Sequence, residues 1–347
     1  MNDEMNSTHE NASELKVATE RENVGQIQTN VEKDLDMAFC LLYVSKNEEN
    51  FVNVRFGGIE SYLYCASYLC RSLERADIRS TILTNDKEFV IRNCRPLKGA
   101  NVIQLNFELN IPTDVAFRSA HHKIDIIDYI GKTYTDGMFL ILDVDVVCVS
   151  RAARHFLRQA VSKNDACALD ISHHVYPAYG QERVQRDIRL LSRGQLANWF
   201  GGEFLLGTAS FFRRLTQELA AIWPDYVAHR HGLHHQGDEA VVSAALCKIL
   251  EKNESVVCVQ LDRAIVRWWN AVTAHRQISL RSALQTGLLH LPSDKNFIKF
   301  CAKAKLSPRY FPALYFAYAS MLMPAHLARA TFNLFSRKRA THAPRLF

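Results

Sequence analysis

The first 36 residues carry no hydrophobic periodicity: they are polar, rich in acids and poor in aromatics, which predicts a flexible tail over 1–36. From Met37 onward, short apolar runs alternate with stretches of helical spacing. "MAFCLLYV" reads as a strand, Glu60 to Leu73 as a helix, "STILTND" as a strand ending in turn residues, and "NVIQL" as a third strand. In "TDVAFRSAHHKIDIIDYI" a cap signal at Thr113 and apolar positions at Phe117, Ile124, Ile127 and Tyr129 or Ile130 predict a helix. "MFLILDVDVVCV" follows as one buried strand, and "DACALD", "GEFLLGT" and "SVVCVQL" as later ones, with helices over Phe211–Trp223 and Asp238–Leu250 between them. This β-α-β-α-β order predicts an α/β fold, a mostly parallel sheet flanked by helices, with a ligand site at the carboxyl ends of the strands.

Composition narrows the picture modestly. A chain of 347 residues, 48% hydrophobic, can bury a large core. The net charge of +6 comes from scattered Lys and Arg, so a nucleic-acid binder is not expected. Nine cysteines form no C-x-x-C pair and several sit in apolar runs, which predicts buried thiols in a reducing, cytoplasmic setting. The N-terminus has no basic segment followed by an apolar run, so neither a signal peptide nor an N-terminal anchor is expected, and the glycosylation-type matches at Asn6 and Asn11 carry little meaning.

Candidate chemistry centres on Asp143 and Asp145. If both lay in a strand they would share one face, where two bare carboxylates repel and resist desolvation. A hard divalent cation removes both objections, because Mg²⁺ or Mn²⁺ takes one or two carboxylates and completes its shell with water and phosphate oxygens. The plainer alternative is a strand end whose aspartates cap a turn.

The hydrophobic run followed by D-x-D resembles the signature of GT-A glycosyltransferases, in particular the retaining, glycogenin-like nucleotide-sugar transferases. Four further segments resemble that family in matching order. "HHKIDIIDYI" places Lys123, with Arg118 about a turn earlier, on a helix that carries a lysine toward the donor. "NWFGGEFLLGT" resembles the strand under the sugar, where Gly201 and Gly202 admit a close ligand and Glu203 faces either the sugar or water. "GDEAVV" puts Asp238 and Glu239 at a helix start, where they either complement the dipole or hold the acceptor hydroxyl. "LLHLPSDKNF" resembles the H-x-x-G-x-x-K segment, with His290 as third metal ligand and Lys295 on the diphosphate, although the glycine is missing and the spacing is one residue shorter. Imidazole in the shell favours Mn²⁺ over Mg²⁺. The histidines at 229, 231, 234 and 235 lack the spacing of a zinc site.

The resemblance implies a single GT-A-type, Rossmann-like catalytic domain over 37–300 and transfer of a hexose from a UDP-sugar to a carbohydrate or lipid-linked glycan acceptor. Tyr43 and Ser45 would read the base, Asp238 or Glu239 would serve an inverting reaction, and Glu203 a retaining one. Two rivals use the same residues: a haloacid dehalogenase-like phosphatase with Asp143 as nucleophile, and a silent nucleotide-sugar binder. The remaining segment, 301–347, is aromatic and apolar from Tyr310 to Phe335 and basic at Arg337, Lys338 and Arg339. It predicts a helical extension that either lies against the inner face of a membrane or packs on protein, with Pro312 and Pro324 opposing a straight spanning helix.

Overall fold

The computed structural model describes residues 34–45, 58–97, 99–161, 165–174, 180–252, 256–259, 263–270 and 276–322. The stretch from Met323 on, with Pro324 and the basic cluster at 337–339, and most of the N-terminal segment lie outside the described residues.

Seven strands form the main sheet: β1 (Met37–Leu41), β2 (Ser80–Thr84), β3 (Asn101–Gln104), β4 (Met138–Leu142), β6 (Ala166–Asp170), β7 (Phe200–Thr208) and β8 (Val256–Val259), in the order β3-β2-β1-β4-β7-β6-β8. β3, β2, β1 and β4 run parallel, as does the β6–β8 pair, while β7 is antiparallel to both of its neighbours. β4, "MFLIL", is buried at all five positions, as befits a strand with neighbours on both sides and helices on both faces. Helices α1 (Gly58–Glu74), α2 (Lys87–Asn93) and α3 (Lys123–Thr133) make the crossovers between successive parallel strands. Since β2 and β3 lie on one side of β1 and β4 on the other, the strand order reverses between β1 and β4, which opens a crevice at their carboxyl ends.

Two expectations are corrected at that crevice. The D-x-D stretch is not one strand: β4 ends at Leu142, the chain turns, and β5 (Val146–Cys148) begins a different sheet, with the Val146 N–H donating to the Asp143 carbonyl at 3.2 Å. The side chains of 143 and 145 are thus placed by a turn and not by strand alternation. Nor does a helix start at Thr113. Residues 113–117 are irregular, a 3-10 turn spans Arg118–His122, and α3 begins at Lys123; Phe117 takes left-handed backbone angles (φ 56°), which breaks any helix there.

The second sheet is small, three strands of three residues: β5, β9 (Ile265–Arg267) and β10 (Leu288–His290). β10 runs antiparallel to β5, pairing His290 with Val146, and parallel to β9, pairing His290 with Arg267. This register sets His290 beside the D-x-D turn, and the Leu291 N–H donates to the Asp145 carbonyl at 3.1 Å.

Longer helices follow as α4 (Ala153–Val161), α5 (Gln181–Ser192), α6 (Ala209–His229), α7 (Asp238–Glu251) and α8 (Lys295–Lys303), with a single turn at Leu280–Ala283 between the last two. Past α8 a helix runs from 311 through 322, with Pro312 in its first turn, where a missing N–H costs nothing. Phe311, Tyr315 and Ala319 are fully buried against the domain; Tyr68 and Phe311 rings lie 5.6 Å apart, and Phe297 stacks on Tyr318 at 4.3 Å. The Tyr315 hydroxyl donates to Asp294 at 2.7 Å. No described helix is long and apolar enough to cross a membrane. Cys40, Cys65, Cys70, Cys94, Cys148, Cys167, Cys247 and Cys301 are free thiols, and all but Cys70 are buried.

Candidate active site

β7 is nine residues long against five for β4, and Leu142 pairs with Phe204, so Phe200 to Glu203 overhang the carboxyl end of β4. The Asp143 N–H still donates to the Glu203 carbonyl at 3.2 Å. The strand therefore starts two residues before the "GEFLLGT" expected from sequence, and the extra residues reach into the crevice. At both glycines an added Cβ would meet the site's own side chains. A Cβ on Gly201 would stand 2.2 Å from Glu203 Oε2, and one on Gly202 would stand 2.8 Å from Asp238 Oδ2 and 3.0 Å from Lys123 Nζ.

One continuous polar network joins eight of the residues singled out by sequence. Lys123, the first residue of α3, lies 2.9 Å from Asp143 Oδ1 and donates to Asp238 Oδ2 at 2.7 Å and to the Gly202 carbonyl at 2.5 Å. Lys295, the first residue of α8, lies 2.6 Å from Asp145 Oδ2 and donates to the Pro292 carbonyl. His290 stands between two acids, with Nε2 3.3 Å from Asp145 Oδ1 and Nδ1 3.2 Å from Glu203 Oε1. Arg267 bridges Glu203 and Glu239, and Glu239 also accepts from Trp199 Nε1 at 3.0 Å and from the Gly202 N–H at 3.2 Å. Asp238 and Glu239 do open α7, but their carboxylates are bound to these cations; no side chain caps the helix.

Sequence reasoning passed over Arg267. The signal was present: a lone cation in the apolar run "AIVRWWN" costs as much to bury as the carboxylates that drew attention.

The remaining candidates lie at the margin. Tyr43 follows β1 and stacks on His122 at 4.3 Å, with Phe107 edge-on at 5.5 Å, so an aromatic cluster stands at the carboxyl ends of β1 and β3, one residue from Lys123. His122 is fixed by Asp125 at 2.9 Å. Ser45 ends the same described segment. Arg118 lies in the 3-10 turn, its Nε buried and without a hydrogen-bond partner. Of the four histidines near 230, His235 packs on Trp199 and Phe117, and His231 faces Asp114.

Electrostatics of the network are lopsided. Five carboxylates (Asp143, Asp145, Glu203, Asp238, Glu239) face three fixed cations (Lys123, Arg267, Lys295), an excess of two negative charges when His290 is neutral. Burial and the neighbouring Asp145 accordingly push the Asp143 carboxyl up despite Lys123, whereas Lys295 and His290 overcome burial to hold Asp145 well below the usual range. Burial alone would lower His290, but Asp145 and Glu203 raise it to about 9.

A divalent ion fits this arrangement. Asp143, Asp145 and His290 each offer one ligand atom, all within 4.8 Å of one another, the only such group among the described residues. An octahedral ion with bonds of about 2.1 Å spaces its ligand atoms about 3 to 4.2 Å apart, a separation comparable to that of this group. Asp145 and His290 are buried, while the Asp143 side chain is one-third exposed, which leaves one side open to a ligand.

No family model and no curated protein matches the chain. Among solved structures, the galactosyltransferase LgtC in complex with donor and acceptor sugar analogs is similar at 16% identity over 77% of this chain and 96% of that one, with a TM-score of 0.46. An active-site mutant of LgtC is similar at 17% identity over 74% of this chain and 87% of that one (TM-score 0.43). Mouse xyloside xylosyltransferase 1 in its apo form is similar at 9% identity over 73% of this chain and 96% of that one (TM-score 0.43).

Proposed function

We propose that this chain is a metal-dependent glycosyltransferase of GT-A type that moves a hexose from a nucleoside-diphosphate sugar, with uridine as the base, to a hydroxyl of a glycan or glycolipid. The observation that carries the reading is the Asp143–Asp145–His290 group at the crevice between β1 and β4, flanked by two buried lysines, within a network whose carboxylates outnumber its fixed cations by two. A bound Mn²⁺, or Mg²⁺, would supply Lewis-acid charge to the diphosphate leaving group.

The chain's own residues divide the remaining work. Lys123 and Lys295 add fixed positive charge beside the position where the departing diphosphate gains negative charge, preorganised and dry, where such charge acts most strongly. Asp238, paired with Lys123, and Glu239 beside it would orient an acceptor hydroxyl or take its proton. The Tyr43–His122–Phe107 cluster offers flat apolar faces for a nucleobase one residue from Lys123. The exposed face of the 311–322 helix, with Leu314, Phe316 and Met321 and with Phe300 and Tyr310 beside it, suits contact with an anionic lipid surface carrying the acceptor.

Incubation with a panel of UDP-sugars and Mn²⁺, read as UDP release, tests the reading. Turnover of at least one donor, abolished in Asp145→Ala, is the expected result. Hydrolysis of phosphate monoesters without response to UDP would replace it with the phosphatase reading. Binding of UDP with no turnover in the presence of glycan acceptors would reduce it to a nucleotide-sugar binder.

A further inference from the structure

Building on the metal-site reading, we infer that Glu203 is a positioning residue, a buried carboxylate that fixes the ring of His290 for the divalent ion, and that Arg267 on the adjoining strand holds this carboxylate in place. Glu203 has no exposed surface. Its Oε1 accepts from Arg267 Nε at 2.7 Å and stands 3.2 Å from His290 Nδ1, and its Oε2 accepts from Arg267 Nη2. Fully buried and clamped by Arg267, this carboxylate is closed to an anomeric carbon.

His290 has the matching need. An imidazole that gives one ring nitrogen to a metal must keep its proton on the other, and a buried carboxylate, which can only accept, selects that tautomer. His290 Nδ1 is buried and makes no hydrogen bond of regular geometry; Glu203 is the acceptor beside it. Nε2 then carries the lone pair and points to Asp145 Oδ1 at 3.3 Å, the side on which the ligand atoms converge.

The backbone is arranged around the same contact. Arg267 and His290 are register partners in β9 and β10, so one strand pair presents both the clamp and the ligand to Glu203. Along β7, positions 201 and 203 share a face, and a Cβ at 201 would lie 2.2 Å from Glu203 Oε2 and 2.9 Å from Arg267 Nη2. Glycine at 201 makes room for the carboxylate and its arginine.

The test is Mn²⁺ affinity of the full chain, followed by electron paramagnetic resonance of free Mn²⁺, for wild type, Asp145→Asn, Glu203→Gln and Arg267→Lys, with melting temperatures taken in EDTA to verify folding. Glu203→Gln is expected to weaken Mn²⁺ about 10- to 100-fold, with most of the lost turnover recovered at saturating Mn²⁺. Arg267→Lys, which keeps the buried charge but not the fork, should weaken Mn²⁺ in the same direction by less, and it decides the matter if Glu203→Gln does not fold. Unchanged Mn²⁺ affinity with turnover lost at saturating Mn²⁺ would overturn the inference and make Glu203 act on the sugar itself. Should wild type bind Mn²⁺ and Asp145→Asn not, while Glu203→Gln or a folded Arg267→Lys equals wild type, only the positioning role fails. A wild type that binds no Mn²⁺ removes the metal reading and this inference with it.

Discussion

At Gly202 a single added methyl group would meet both members of the Lys123–Asp238 pair. Gly202→Ala is expected to cost about 1–3 kcal/mol of stability through overpacking. It should lower kcat/KM about 10²-fold, because displacing charged groups by an ångström costs on that order. Steady-state kinetics with a UDP-sugar checks this; wild-type kinetics in a folded Gly202→Ala protein would remove Lys123 and Asp238 from the reaction. At this scale the sequence was readable wherever a charge interrupts an apolar run, since burial of an unpaired charge is too costly to be accidental. That logic found Asp143, Asp145 and Glu203, and it applies equally to Arg267, which a motif-led reading missed because no known motif contained it. It could not reveal partners: that Lys123 pairs with Asp238, 115 residues away, depends on distant elements meeting in space.

Elements differ in how plainly they were written. The long parallel strands and α1, α6 and α7 were legible because continuous apolar runs and strong helical spacing extend over many residues, although β7 and α6 run past the expected bounds. The direction of β7 was not, since nothing in an apolar run tells antiparallel from parallel. The second sheet, with three-residue strands, falls below the length at which any period can be recognised, yet it is what brings His290 and Arg267 to the D-x-D turn. The last described helix is divided by side: Phe311, Tyr315 and Ala319 pack inward, while Leu314, Phe316 and Met321 face out, Met321 at 73% exposed. Phe316→Ser with Met321→Ser should leave the melting temperature nearly unchanged. Burial of such side chains is worth about 1.5–3 kcal/mol each, so the double substitution should reduce cosedimentation with phosphatidylglycerol vesicles about 10-fold or more. Equal pelleting of both proteins, or no pelleting of either, would assign that face to something other than lipid.

For the molecule as a whole, the reversal of strand order between β1 and β4 places one opening at the carboxyl ends of the sheet, and the network of carboxylates, lysines and His290 stands at it. An α/β chain of this order leads to such a crevice from connectivity alone. Its use depends on the excess negative charge, which a divalent cation offsets and which, without one, would repel a diphosphate. Calorimetric titration of UDP into the full chain, with Mn²⁺ and with EDTA, tests this most directly. The account predicts UDP binding that requires Mn²⁺ and is lost in Asp145→Asn; UDP binding of equal strength in EDTA, or in the Asp145→Asn protein, would contradict it.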